Sequence, residues 1–177
     1  MIYLARHGQT AYNLAGRFQG WLPVGLDDTG RAQARELAKE ARAVSPVTLV
    51  SSPLARARET AEIVAAEVGL EPLIDERFTE TDAGDWTDRT FEDVLAEDPE
   101  GFARFAALDM DWGFPGGETF AGQRDRVLEG IEDWRARTAA HPVLVVCHGN
   151  TIRLALGALK PALEGDERPA NGSLVAL

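Results

Sequence analysis

Cysteine, histidine and long apolar runs are all scarce in this 177-residue chain, and each scarcity removes a class of function. The single cysteine, Cys147, cannot form an internal disulfide. A stapled secreted scaffold is therefore excluded, and a reducing compartment, by default the cytoplasm, is expected. Only three histidines are present, with no HExxH and no dense DxD or HxH cluster, so no metal and no cofactor is implied. No apolar run approaches the roughly 20 residues that a membrane helix needs. No signal peptide is expected either, because MIYLARHG reaches Arg6 and His7 after too short an apolar stretch. Positive charge is the fourth shortage: 18 Lys and Arg face 29 Asp and Glu, a net charge of −11. That balance speaks against general binding to nucleic acid or to an anionic membrane. It leaves room for a small phosphorylated metabolite, provided a few cations converge in one pocket where the local field dominates.

What is present alternates. IYLA (2–5), VTLVSS (47–52) and VLVVC (143–147) are short, apolar and β-favouring, while PLI (72–74) and SLVAL (173–177) are weaker strand candidates. Between them lie helical stretches. One is capped by Asp27 and runs to about Ala43, one begins near Pro53 and ends before Gly69, and the clearest spans Glu118 to Ala139. Two short helices are expected near 90–97 and 99–108, and another over TIRLALGAL (151–159). Residues 14–26, 75–88 and WGFPGG (112–117) read as loops. The alternation predicts an α/β fold, a three-layer αβα sandwich around a mostly parallel sheet, in one domain covering residues 1–177.

The polar residues with chemistry to offer sit where apolar strands end. IYLA runs into Arg6-His7-Gly8, VTLV into Ser51-Ser52-Pro53-Leu54-Ala55-Arg56, and VLVVC into His148-Gly149-Asn150. Open α/β sheets bind ligands beyond the carboxyl ends of their strands, so these tips should meet in one cleft. Two imidazoles, paired guanidiniums and helix-start N–H groups make a phosphate site. Paired arginines would also repel a divalent cation.

With those segments in view, the chain resembles the histidine phosphatase superfamily, in its phosphoglycerate-mutase-like branch. LARHGQTAYN (4–13) is similar to the family's opening signature, and GRFQG (16–20), SSPLARARETA (51–61), PGGET (115–119) and VVCHGNTIR (145–153) follow in the family's order. The resemblance implies that His7 becomes phosphorylated, that Arg6, Arg56 and His148 surround the phosphate, and that Asn13 and Gln19 are secondary contacts. It also implies that Glu80 is the proton donor. A neutral imidazole is a competent nucleophile near pH 7, and fixed cations stabilise the charge on a transferring phosphoryl group without reorganising. Glu80 lies among Asp75, Glu76, Asp82, Asp85 and Asp88, and like charges raise a carboxyl pKa toward the range useful to a general acid. Where the family continues with Trp-Glu-Gly this chain reads Trp86-Thr87-Asp88, so Asp82 and Asp85 stay open as alternative acids.

The implied activity is hydrolysis of a small phosphomonoester through a phosphohistidine. Mutases of the family resemble longer chains with an insertion between the acid and the Gly-Gly-Glu loop and a closing tail; here that stretch runs only from Glu80 to Pro115. The alternatives are a phosphoglycerate mutase using the same phosphohistidine and a non-catalytic phospholigand-binding protein. Cys147 is expected to be an inert buried thiol, His141 to face solvent and Arg58 to pair on the surface. Phe18, Trp21, Trp86, Trp112 and Phe114 either rim the pocket or pack the loops. A homodimer accords with the frequency of isologous dimers among soluble enzymes, with no interface legible in the sequence.

Overall fold

In the computed structural model, which describes residues 1–139, 141–160 and 168–177, five strands form one sheet in the order β3-β2-β4-β1-β5. They are β1 (Ile2–Arg6), β2 (Thr48–Ser51), β3 (Leu73–Ile74), β4 (Val143–Cys147) and β5 (Leu174–Ala176). β4 lies parallel between β1 and β2, β3 extends the parallel set, and β5 closes the far edge antiparallel to β1.

Side chains alternate between the two faces, and each face finds its own helices. Ile2, Leu4, Val50, Val143, Val145 and Cys147 point to one side. There they meet Val127, Ile131 and Trp134 of α6 (Phe120–Arg137) and Ile152 and Ala155 of α7 (Gly149–Leu159). Ala5, Leu49, Leu144 and Val146 point to the other side, against α2 (Asp28–Val44) and α3 (Ala55–Val68). β4 is wholly buried because both its faces are covered, which is why it reads as an uninterrupted apolar run.

Local chemistry sets the helix ends. Asp27 caps α2 by accepting from the Gly30 amide at 2.7 Å, and Ser45 closes it in a left-handed conformation just before Pro46. Thr119 caps α6 through the Gly122 amide, two residues later than the periodicity suggested. α7 begins at Gly149, two residues earlier than expected, and places His148 at its N-cap. Pro53 stands ahead of α3 rather than in its first turn. One short helix escaped the sequence reading: α1 (Ala11–Leu14) is held by a reciprocal capping box between Thr10 and Asn13.

A third apolar cluster lies beyond the sheet's carboxyl edge. Phe18, Trp86, Trp112, Phe114 and Phe120 interlock there with Phe105 of α5 (Pro99–Ala106) and Val94 of α4 (Phe91–Glu97). Their rings sit mostly edge-to-face or tilted, with Phe18 and Phe91 centroids 4.6 Å apart and Trp112 and Phe114 centroids 4.9 Å apart, while Phe105 and Phe120 stack. The loop aromatics therefore pack as a small core, with Phe18 and Phe114 also reaching the pocket wall. Trp21 is the exception at 52% exposure.

Candidate active site

The register of the three central strands sets their tips level. Arg6 pairs with Cys147 and Ser51 with Val146, so His7, His148 and Ser52 leave the sheet together. The His7 amide donates to the Cys147 carbonyl at 3.0 Å and the Ser52 amide to that of Val146 at 3.0 Å. The chain after His7 then presses against the first turn of α2. A Cβ on Gly8 would lie 2.3 Å from the Gly30 carbonyl oxygen, and one on Gly30 would lie 2.0 Å from that of Gln9. Both positions require glycine because backbone meets backbone.

Six of the seven expected residues line one pocket: Arg6, His7, Asn13, Gln19, Arg56 and Glu80. The seventh, His148, packs behind it with its ring centroid 5.2 Å from that of His7. His7 is 2% exposed, and its Nδ1 lies 2.7 Å from the Gly8 carbonyl oxygen. A carbonyl only accepts, so Nδ1 carries the proton and Nε2 keeps a lone pair whenever the ring is neutral. Burial, and then repulsion by Arg56 and Arg6, hold the His7 pKa well below its ordinary value despite the Gly8 hydrogen bond. Burial first, and then Arg56, do the same to His148, whose Nε2 lies 2.7 Å from the Ser52 hydroxyl.

The two arginines are anchored to backbone. Arg6 donates to the Pro169 carbonyl at 2.6 Å, and Arg56 to those of Gly20 at 2.9 Å and Leu22 at 3.4 Å. Burial draws the Arg56 guanidinium down to about 10, so it remains charged at neutral pH. Arg6 Nε, Arg56 Nε and His148 Nδ1 are buried with no partner among the described residues. Orphaned donors around a cleft call for an acceptor-rich ligand. The amide side chains are oriented toward the same end. Asn13 Oδ1 accepts from the Thr10 amide and the Asn171 side chain, and Gln19 Oε1 from the Thr10 hydroxyl, so their carbonyls are engaged and their NH₂ groups remain to serve the pocket.

Of the three candidate acids, only Glu80 lines the pocket. Asp82 is turned back onto the Gly84 amide, and Asp85 lies against Gly116. Glu80 Oε1 accepts from the Thr81 amide at 3.0 Å and from Gln123 at 3.4 Å, while Oε2 has no partner among the described residues. Two of the carboxylates near Glu80 in sequence are engaged by other groups. Asp75 is bound by Arg77 and Trp134, and Asp88 by Tyr12 and Arg17. Across the pocket the guanidiniums of Arg6, Arg56 and Arg168 feel the charge of Glu80.

Several contributors went unread in the sequence. Thr60 accepts from the Gly8 amide at 3.1 Å and donates to the Arg56 carbonyl at 2.7 Å, coupling nucleophile loop to arginine. Gln123, Thr81 and Asn150 form a hydrogen-bonded support for Glu80. Asn171 donates to the His7 carbonyl at 3.0 Å, and beside it Arg168 lines the pocket. Arg168-Pro169-Ala170-Asn171-Gly172 carries turn residues, which mark a loop but not its destination. Elsewhere the expectations hold: Cys147 is buried with its thiol pushed up by desolvation, His141 is exposed, and Arg58 faces Glu62 at 3.8 Å on the surface. Among the described residues, no helix is long and apolar enough to cross a membrane, and no group of three or more His, Cys, Asp or Glu is placed to hold a metal ion.

Comparison with known proteins agrees with this geometry. A glucosyl-3-phosphoglycerate phosphatase from Mycolicibacterium vanbaalenii is 37% identical over 181 residues, covering 98% of this chain and 79% of that protein. A protein of Salmonella choleraesuis named as a probable phosphoglycerate mutase is 34% identical over 165 residues, covering 93% and 74%. The solved structure of a mycobacterial glucosyl-3-phosphoglycerate phosphatase superposes with a TM-score of 0.86 at 32% identity, covering 98% of this chain and 87% of the other. The profile of the histidine phosphatase superfamily (branch 1) matches residues 2–175, and the chain belongs to that superfamily.

Proposed function

We propose that residues 1–177 form one domain whose activity is metal-independent hydrolysis of a small phosphomonoester through a phosphohistidine on His7. The observation that carries this reading is the tethering of His7 Nδ1 to the Gly8 carbonyl, which leaves Nε2 as the nucleophilic atom of a ring that feels the charges of both Arg56 and Arg6. In this scheme Nε2 attacks phosphorus in line as the ester P–O bond breaks, and Glu80 gives its proton to the departing alkoxide. Arg6 and Arg56 hold the equatorial oxygens, with Asn13 and Gln19 as further donors. The ionised Glu80 then takes a proton from water, whose oxygen attacks the phosphohistidine; phosphate leaves and the imidazole lone pair returns. Water enters because only Glu80 to Pro115 separates the acid from the Gly-Gly-Glu loop, and the pocket is open at its mouth.

The relatives named for phosphatase activity support hydrolysis over phosphate transfer to a second hydroxyl. A cytoplasmic setting accords with one buried, unreactive thiol. The test is hydrolysis of p-nitrophenyl phosphate by the purified protein in EDTA, with His7→Ala as the control. Turnover that survives EDTA and vanishes in His7→Ala is expected. Conversion of 3- to 2-phosphoglycerate stimulated by 2,3-bisphosphoglycerate would replace this reading with the mutase, and binding without turnover would replace it with a sensor.

A further inference from the structure

Arg168 is one of four arginines lining the pocket and has no part in the chemistry above. Its Cζ lies 4.8 Å from the ring centroid of Phe105 and 5.5 Å from that of Phe91, so the planar cation is mounted on an aromatic wall. Among the described residues it has no hydrogen-bond acceptor and no ion-pair partner; the carboxylate that it feels across the pocket is Glu80. Its position is not left to a free loop. The next residue, Pro169, accepts from Arg6, Asn171 donates to the His7 carbonyl, and the Gly172 amide donates to the Arg6 carbonyl at 3.1 Å. The segment that carries Arg168 is thus fastened to the nucleophile strand itself.

Charge balance says what such a cation is for. Arg6 and Arg56 match the two charges of a phosphate dianion, and Glu80 is committed to the leaving-group oxygen in the scheme above. Both histidines are held neutral, and Arg17, the other cation of the pocket, is paired with Asp88 at 2.9 Å. Among the described residues one positive charge remains, on a planar fork walled by phenyl rings. A single carboxylate would neutralise it, whereas a second phosphate would leave the pocket negative.

We propose that Arg168, held on Phe91 and Phe105, selects phosphomonoesters whose leaving group carries a carboxylate. The inference rests on the phosphatase reading, and its test separates the two. 3-Phosphoglycerate and glycerol 3-phosphate have the same carbon skeleton and differ in a carboxylate against a hydroxymethyl group. The wild-type protein should favour the first in kcat/KM by about ten- to a hundredfold, the worth of one charged hydrogen-bond pair. Arg168→Gln should bring that ratio close to one, chiefly through KM. Arg168→Lys should restore part of it, because it keeps the charge and loses the fork. In parallel, calorimetry with His7→Ala reads the same preference as binding, and the preference should vanish when Arg168→Gln is added. Equal treatment of the two esters by wild type, or an equal loss for both in Arg168→Gln, overturns the assignment. If neither these esters nor p-nitrophenyl phosphate is hydrolysed the phosphatase reading falls. The calorimetric preference then still decides Arg168: kept in His7→Ala and lost in the double variant it stands, and absent from His7→Ala it fails.

Discussion

Replacing Arg56 by glutamine tests the site at two points at once. The guanidinium is 1% exposed, its NH2 and NH1 groups are tied to Gly20 and Leu22, and its Nε is unpartnered. At about 4 Å and an effective dielectric near 20 its attraction to an anion is roughly 4 kcal/mol, and charged hydrogen bonds contribute about 1.5–3 kcal/mol each. Glutamine keeps one neutral donor, so a loss of about 3–4 kcal/mol is expected, or two to three powers of ten in kcat/KM. The second effect is on pH. Arg56 follows burial as a cause of the low His7 pKa, so its removal raises that pKa. The nucleophile must be neutral, so the acidic limb of the kcat/KM profile should move to higher pH. Titration of the phosphate ester itself is common to both proteins and cancels in the comparison. The assay is kcat/KM for one ester from pH 4.5 to 8 in wild type, Arg56→Gln and Arg56→Lys, with melting curves to establish folding. The lysine variant should recover part of the rate and most of the pH shift. A folded Arg56→Gln protein that loses less than tenfold, or whose acidic limb stays in place, would refute the reasoning.

Other expectations follow from the same geometry. Glu80→Gln should keep vanadate binding measured by calorimetry yet lose turnover of alkyl phosphates far more than of p-nitrophenyl phosphate, whose leaving group needs no proton; equal losses for both esters would remove Glu80 from the acid role. Gly8→Ala forces a methyl group onto the Gly30 carbonyl, where neither backbone can yield. A cost of about 1–3 kcal/mol, roughly 2–12 °C in Tm, should be visible by calorimetry. Thr60→Val strands the buried Gly8 amide and should cost about 1–3 kcal/mol in chemical denaturation. His7 and His148 have folded pKa values below the ordinary 6.5, so the unfolded chain binds protons that the folded one refuses as pH falls through about 6.5. Stability should therefore drop on acidification, by up to about 1.4 kcal/mol per pH unit for each histidine, and His7→Gln should reduce that slope in urea melts at pH 7.0 and 5.5.

Much of this protein is written locally. The apolar tetrads that end in Arg6-His7, Ser51-Ser52 and Cys147-His148 are strands because they are short, apolar and β-favouring, and Asp27 ends a loop because its carboxylate reaches the Gly30 amide three residues on. The parallel sheet follows from alternation, and a buried β4 from its unbroken apolar run. Other properties needed the folded chain. Whether Phe18 or Trp112 packs or binds depends on neighbours far away in sequence, and so does the presence of the Arg6 and Arg56 guanidiniums near Glu80. Arg168 reaches the pocket only because residues 169–172 are laced to the end of β1, a contact spanning about 160 positions that no local pattern encodes. Propensity and periodicity act over a few residues, whereas fields and hydrogen bonds act over a few ångströms; only the fold converts one distance into the other.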